Sequence, residues 1–411
     1  MISIKQLVLY SVLALPLAFA GMPLYVHAPD YFTTHHNISL ASIGFALLFL
    51  RFLDALQDPI IGRLSDKHAQ HRKIIITIAS IILVVSFGFL FQPLIQNKLV
   101  WFCVFILLAT TSFSVISINL NSLGGLWARN KIQSNKITSF REAFGLIGLL
   151  LAILLPSILQ TSSTPNQAFL YVSIVLAVLA VIGLVCHYKW CFSGGAYSTY
   201  NFKFSLKNIP KQTRNLFLAY GFSMLASSIP ALLVLFYIRD LLGAESYTGL
   251  FLLLYFISGA VGMPLWQYLS NKYGKYTSWL IAMSLATFVF IWAYFLSASD
   301  IWQYAIICIL SGIAFGADLS LPPAILADDI IKYKLQNQAS SLFSILTFLS
   351  KLSLALASAI VLPLLDYQGF VPAMANSQQA LHALSLAYAI VPCFIKLVSI
   401  ILLKRCIKYQ P

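Results

Sequence analysis

Apolar runs of about 20 residues follow one another down this chain, and a run that long matches the hydrocarbon thickness of a bilayer. Twelve such runs can be read, with approximate limits 7–30, 40–62, 73–95, 99–126, 138–160, 167–190, 214–239, 246–270, 276–297, 301–327, 339–364 and 383–404. Polar breaks such as DKHAQHRK and NKYGKYTS divide them. Charged residues make up 9% of the chain and hydrophobic ones 60%. A soluble domain carries about 25% charged residues, so little of this chain can face water. The sequence predicts an all-α membrane protein with twelve transmembrane helices. MISIKQLVLYSVLALPLAFAG runs into further apolar sequence and reads as a retained first span, not a cleaved signal peptide.

The net charge of +14 suggests a nucleic-acid surface only if the bases cluster on a folded face. They sit instead in short loops. With the N-terminus in the cytoplasm, the inner loops collect Arg63, Lys67, Arg72, Lys73, Arg129, Lys131, Lys136, Lys189, Lys272, Lys275 and the bases after Ile401. The outer loops hold Lys98 and Arg239. This asymmetry fits the positive-inside rule and an even number of spans. A multi-pass protein of a bacterial inner (plasma) membrane is expected, with both termini cytoplasmic and no nucleic-acid partner. The longest internal loop falls at the midpoint. It divides the chain into two pseudo-symmetric six-helix bundles, 1–192 and 214–411, joined by a linker at 193–213. LSDK at 64–67 recurs as LSNK at 269–272, after the second and eighth spans.

The six cysteines are scattered, mostly inside spans, which argues against a disulfide framework. Cys186, His187 and Cys191 lie close together, but no second ligand pair accompanies them. No cofactor is expected, and no metal beyond a coupling Na+.

Charges inside spans are the informative residues. Arg51, Arg141, Lys351 and Lys396 are basic; Asp54, Asp58, Glu142 and Asp318 are acidic. Each costs about 2.5–3.5 kcal/mol at mid-bilayer, so they must face one another or a water-filled cavity. In the stretch RFLDALQDPIIGRLSD, Arg51, Asp54 and Asp58 fall within about 60° of one another on a helix. Two carboxylates one turn apart repel, and two acids against one base leave a charge that needs a partner. Carboxylate oxygens suit Na+, H+ or Li+, so Asp54 and Asp58 read as a coupling-cation site. The alternative is a buried structural network in which Arg51 neutralises one Asp.

The segment GRLSDKHAQHRK resembles the loop motif of the major facilitator superfamily, Gly-x-Leu-x-Asp-(Arg/Lys) followed by Arg-Lys. On that resemblance Gly62, Asp66, Lys67 and Arg72 form a cytoplasmic gate loop. The pattern Arg-x-x-Asp-Ala-x-x-Asp-Pro-x-x-Gly is similar to the second helix of the glycoside–pentoside–hexuronide:cation symporters, the melibiose permease group of that superfamily. SLGGLWARNKIQSNKITSFREAFGLIG resembles the group's helix-four-to-five passage, PLWQYLSNKYGK its helix-eight end, and ILADDIIKYKLQNQASSLFSILTFLSKLSLALA its helix-ten-to-eleven region. The resemblance covers nearly the whole chain. It implies alternating access, assigns Asp54 and Asp58 to the cation, and places Arg141 and Lys351 in the solute cavity.

The departures bear on the solute. The group's sugar permeases carry an acid in helix one, and SVLALPLAFAG has none. Ser117 stands where they carry a helix-four Asp, and Asn121 where they carry a stacking aromatic. A sugar needs carboxylates for its hydroxyls and a ring for its apolar face, so a galactoside is not expected. Asn119, Asn121, Ser117, Arg141, Asp318 and Lys351 are the residues expected to line a solute cavity. Asp318 either pairs with Lys351 or meets a cationic or hydroxyl-bearing solute. Glu142 and Arg51 read as charge partners, Lys396 as a snorkelling base, and Pro322-Pro323 as a break or bend in the tenth helix.

The function expected is cation-coupled (Na+ or H+) transport of a small polar organic solute, by a monomer. The alternative is proton-driven export of a metabolite, siderophore or drug. A non-transporting sensor would have no use for the acid pair. An enzyme is not expected, because no nucleophile–base set or phosphate loop is present. A channel is disfavoured by the lack of a pore loop or repeated charged ring.

Overall fold

In a bilayer every backbone polar group must be satisfied internally, and a helix does this within one segment. The computed structural model describes residues 2–28, 31–32, 36, 38, 40–160, 165–192, 209–298, 300–372 and 374–407, and among them there is no strand. The first span is made of α1 (Ile4–Ser11) and α2 (Ala14–Met22), and Ser3 and Gln6 close a capping box at its start. The next five are α3 (Leu40–Lys67), α4 (Arg72–Leu90), α5 (Lys98–Trp127), α6 (Lys131–Gln160) and α7 (Pro165–Phe192). Then come α8 (Lys211–Phe236), α9 (Thr248–Tyr273), α10 (Lys275–Ala293), α11 (Ile301–Lys332) and α12 (Ala339–Tyr367). The last span joins α13 (Gln378–Ser385) to α14 (Val391–Ile407) through a π turn. Ten of these spans are apolar enough to cross a membrane by composition alone. The charged α3 and α6 bring the number to twelve among the described residues.

The Pro322-Pro323 pair, expected to break or bend its helix, does not end it. α3 continues through Pro59, and α11 through Pro322 and Pro323. The chain reverses between α9 and α10 at Gly274, whose φ of 84° suits a residue without Cβ.

Two compact units emerge. Unit 1 is Met1–Ser205 with Ala327–Phe348, and unit 2 is Leu206–Leu326 with Leu349–Pro411. The turn joining α11 to α12, with the adjoining helix ends (Ala327–Phe348), therefore belongs with unit 1. Most of the expected linker, 193–213, lies outside the described residues. The core of unit 1 gathers Tyr10, Phe87, Phe91, Phe102 and Trp190, with Phe91 stacked on Phe169 at 4.1 Å. Tyr10 donates to the Leu120 carbonyl at 2.7 Å. Unit 2 has its own core, where Tyr237 stacks on Tyr388 at 4.0 Å and the Tyr388 and Tyr304 hydroxyls meet at 2.7 Å.

α3 explains how acids survive in an apolar helix. Phe45, Phe49, Phe52, Leu56 and Ile60 are exposed, at helical spacing, as a lipid-facing side. Leu50, Asp54, Asp58, Ile61 and Ser65 are buried on the opposite side. The charges are turned into the bundle, inverting the polarity of a helix in a water-soluble protein.

Candidate functional site

The buried side of α3 runs beside α5. Asp54 is 3% exposed and Asp58 0%. Asp54 Oδ1 accepts Gln57 Nε2 at 2.9 Å and the Ser114 hydroxyl at 3.4 Å. Gln57 Oε1 accepts the Thr111 hydroxyl at 2.9 Å. This relay fixes the Gln57 amide so that its N–H end faces Asp54. Asp58 follows one turn on, on the same buried side, and Arg51 precedes them half-buried. The arrangement supplies carboxylate and hydroxyl oxygens in one apolar bundle, donors suited to a small hard cation.

Gln57, Thr111 and Ser114 did not stand out in the sequence. Their signal was spacing: Gln57 lies on the α3 side between the two acids, and Thr111 and Ser114 are one turn apart on α5.

The other expected residues divide between the units. In unit 1, Asn119 is wholly buried, while Ser117 and Asn121 are half-buried. Arg141 is 6% exposed; its guanidinium meets the Glu142 carboxylate and lies against the Tyr10 hydroxyl. A Cβ on Gly124 would fall 2.2 Å from that hydroxyl, so the close approach needs glycine there. In unit 2, Lys351 is half-buried on α12. Asp318 pairs with Lys396, not with Lys351. Its carboxylate also accepts Trp279 Nε1 at 2.7 Å and the Ser223 hydroxyl at 3.2 Å. The Lys396 ammonium donates further to Ser223 at 2.9 Å and Ser227 at 3.2 Å. Lys396 is 5% exposed and does not snorkel, because all three of its protons find acceptors inside the bundle.

The gate-loop residues also meet. Asp66 accepts the backbone N–H groups of Ser340 (2.9 Å) and Ser341 (2.7 Å), the Ser341 hydroxyl (2.7 Å) and Arg72 Nη2 (2.9 Å). The carboxylate thus caps the N-terminus of α12, where free N–H groups and the helix dipole favour an anion. Arg72 Nη2 reaches on to the Ser340 hydroxyl at 2.8 Å. Gly62 makes room for this contact, since a Cβ there would lie 2.4 Å from Ser344 Oγ. Lys67 is exposed beside it.

The seam has a counterpart of opposite character. The step that carries LSDK at 64–67 onto LSNK at 269–272 also carries Asp54, Gln57 and Thr111 onto Gly259, Gly262 and Gly316. There the helices close on backbone. A Cβ on Gly316 would lie 2.5 Å from the Gly259 carbonyl oxygen, and one on Gly312 2.3 Å from that of Tyr255.

Comparison with known proteins places this geometry. A family described as "MFS/sugar transport protein" matches residues 3–410. The sodium-dependent lysophosphatidylcholine symporter 1-A of Danio rerio is 28% identical over 160 residues, covering 38% of this chain and 30% of the relative's length. Among solved structures, a bacterial homologue of the iron transporter ferroportin in an outward-facing state superposes with TM-score 0.70 at 16% identity, covering 97% of this chain and 99% of the other. The E. coli fucose:proton symporter gives TM-score 0.69 at 13% identity over 99% of both chains.

Proposed function

From a chain that belongs to the MFS/sugar transport family, a multi-pass membrane protein of the major facilitator fold, we propose a cation-coupled symporter of a small polar organic solute. The observation that carries this reading is the acid pair: Asp54 and Asp58, both buried, one turn apart on α3, with Gln57 and Ser114 donating to Asp54. The relative from Danio rerio is named as sodium-dependent, which supports Na+ as the ion. Occupancy by Na+ or H+ neutralises the pair. The loaded and empty carriers then differ in electrostatic energy, and this differential lets a cation gradient bias alternating access.

On this reading Ser117, Asn121, Arg141 and Lys351 address the solute. Asp66, Arg72 and Gly62 act as the cytoplasmic gate loop, anchoring the start of α12. The membrane is a bacterial inner membrane and the working unit a monomer.

The test is solute flux in proteoliposomes with Asp54→Asn and Asp58→Asn. The panel holds sugars, glycosides and lysophosphatidylcholine, the relative's named substrate. Wild-type uptake should rise at least about tenfold with an inward Na+ or H+ gradient, and each Asn variant should abolish that rise while leaving exchange at equal cation measurable. Gradient-driven uptake that survives in both variants would sink the reading.

A further inference from the structure

The polar seam between α3 and α5 continues past Asp58. Ser65 lies seven residues on, two turns along the same buried side, or about 10 Å. Its hydroxyl accepts Asn119 Nδ2 at 2.9 Å. The same Nδ2 donates to the Val115 carbonyl at 2.8 Å. A carbonyl can only accept, so this contact decides which end of the Asn119 amide is nitrogen. The other end, Oδ1, is an acceptor. It is completely buried and has no hydrogen-bond partner. One turn farther, Ser122 is 0% exposed and its hydroxyl is likewise without a partner.

Buried acceptors without donors are rare in native proteins, and each demands an occupant or a reason. The fold does not demand these. The step that carries LSDK onto LSNK carries Asn119 and Ser122 onto Ala324 and Ala327. Alanine serves at those two places in the second repeat, so the polar atoms in the first were added to a scaffold that works without them.

We propose that Asn119, with Ser65 and Ser122, forms an inner station for a small hard monovalent cation, Na+ or Li+, between the acid pair and the turn at 64–73. The inference rests on the coupling-cation reading of Asp54 and Asp58 and adds the route of release. Amide and hydroxyl oxygens are hard ligands suited to such ions. The station carries no formal charge, so it receives an ion leaving the carboxylates without retaining it. A conducting path needs such a weaker second stop beside a stronger one.

The experiment uses the full-length protein with 22Na+ as probe: equilibrium binding to purified protein, and 22Na+/Na+ exchange in proteoliposomes. Asn119→Ala should leave half-saturating Na+ at the acid pair within about twofold of wild type yet slow exchange about tenfold, the scale for losing one ligand-supporting contact. Asn119→Asp, nearly isosteric, should add a carboxylate to the station and create a second Na+ equivalent in the binding isotherm; it also carries the test if the alanine variant does not fold. Binding and exchange identical to wild type in both variants would overturn the station. Wild-type protein that binds no 22Na+ and no Li+ would also overturn it. The acid-pair reading would survive that result if flux still followed a proton gradient and was lost in Asp54→Asn.

Discussion

The second and fourth spans of unit 1 and the eighth and tenth spans of unit 2 occupy equivalent places in their repeats, yet they are joined in opposite ways. α3 meets α5 through Asp54, Gln57, Thr111, Ser114, Ser65 and Asn119. α9 meets α11 through Gly259, Gly262, Gly312 and Gly316, with Trp266 Nε1 clasping the Ile313 carbonyl at 2.6 Å. The first seam spaces two helices with polar side chains. The second lets two backbones touch, as small residues do wherever membrane helices pack tightly. On the proposed reading the polar seam is where the cation acts, and the glycine seam is a packing contact between α9 and α11.

Unit 2 closes its own buried charges on one another. Asp318 and Lys396 form a closed network with Ser223, Ser227 and Trp279, drawn from α8, α10, α11 and α14. The largest effect is expected here. Asp318→Asn removes the anion from a buried ammonium, and breaking a buried pair from one side costs about 3–5 kcal/mol. Adding Lys396→Met to that variant removes both charges and should recover most of the loss, read as the thermal midpoint in detergent. If transport returns together with stability, the pair is a clasp. Stability that returns without transport would show Asp318 handling solute and would break the contrast between a unit that handles the cation and one whose buried charges only pack.

The glycine seam gives the next largest effect. Gly312→Ala and Gly316→Ala each press a methyl onto a backbone carbonyl that cannot rotate away. Overpacking of this kind costs about 1–3 kcal/mol. Gly88→Ala on α4, where nothing lies within 4 Å, is the control and should cost nothing. Equal behaviour of the three would mean that α9 and α11 are not tightly joined.

How much of this could be read from the sequence depends on what each feature costs. The twelve spans were legible because a bilayer imposes a length on every apolar run. The inward burial of Asp54 and Asp58 was legible because an acid in such a run is expensive and must turn away from lipid. Gln57, Thr111 and Ser114 were hidden, because neutral polar residues are cheap in a span and only the meeting of α3 with α5 gives them partners. Asp318 was found, but its partner was not. Lys396 lies near the basic end of the last span and looked able to reach water, whereas α8 and α11 bring it acceptors. The glycine seam was invisible in the same way: glycines are common in membrane helices, and only a carbonyl 2.3–2.5 Å from an imagined Cβ shows which of them matter.

The smallest effect sharpens the comparison most. Thr111→Val keeps the shape of the side chain and removes one hydroxyl. Its loss from Gln57 Oε1 should cost about 0.5–1.5 kcal/mol of stability, the net worth of one hydrogen bond. The functional consequence is larger than the structural one. Without Thr111 the Gln57 amide is no longer held with its N–H end toward Asp54, and the carboxylate loses a fixed donor. The Na+ concentration for half-maximal uptake should shift severalfold, while the solute concentration for half-maximal uptake at saturating Na+ stays within about twofold. A shift in the solute term alone would place Thr111 on the solute and detach the relay from the cation. No shift in either would reduce the α3–α5 seam to helix spacing, and the two seams would then differ in composition but not in role.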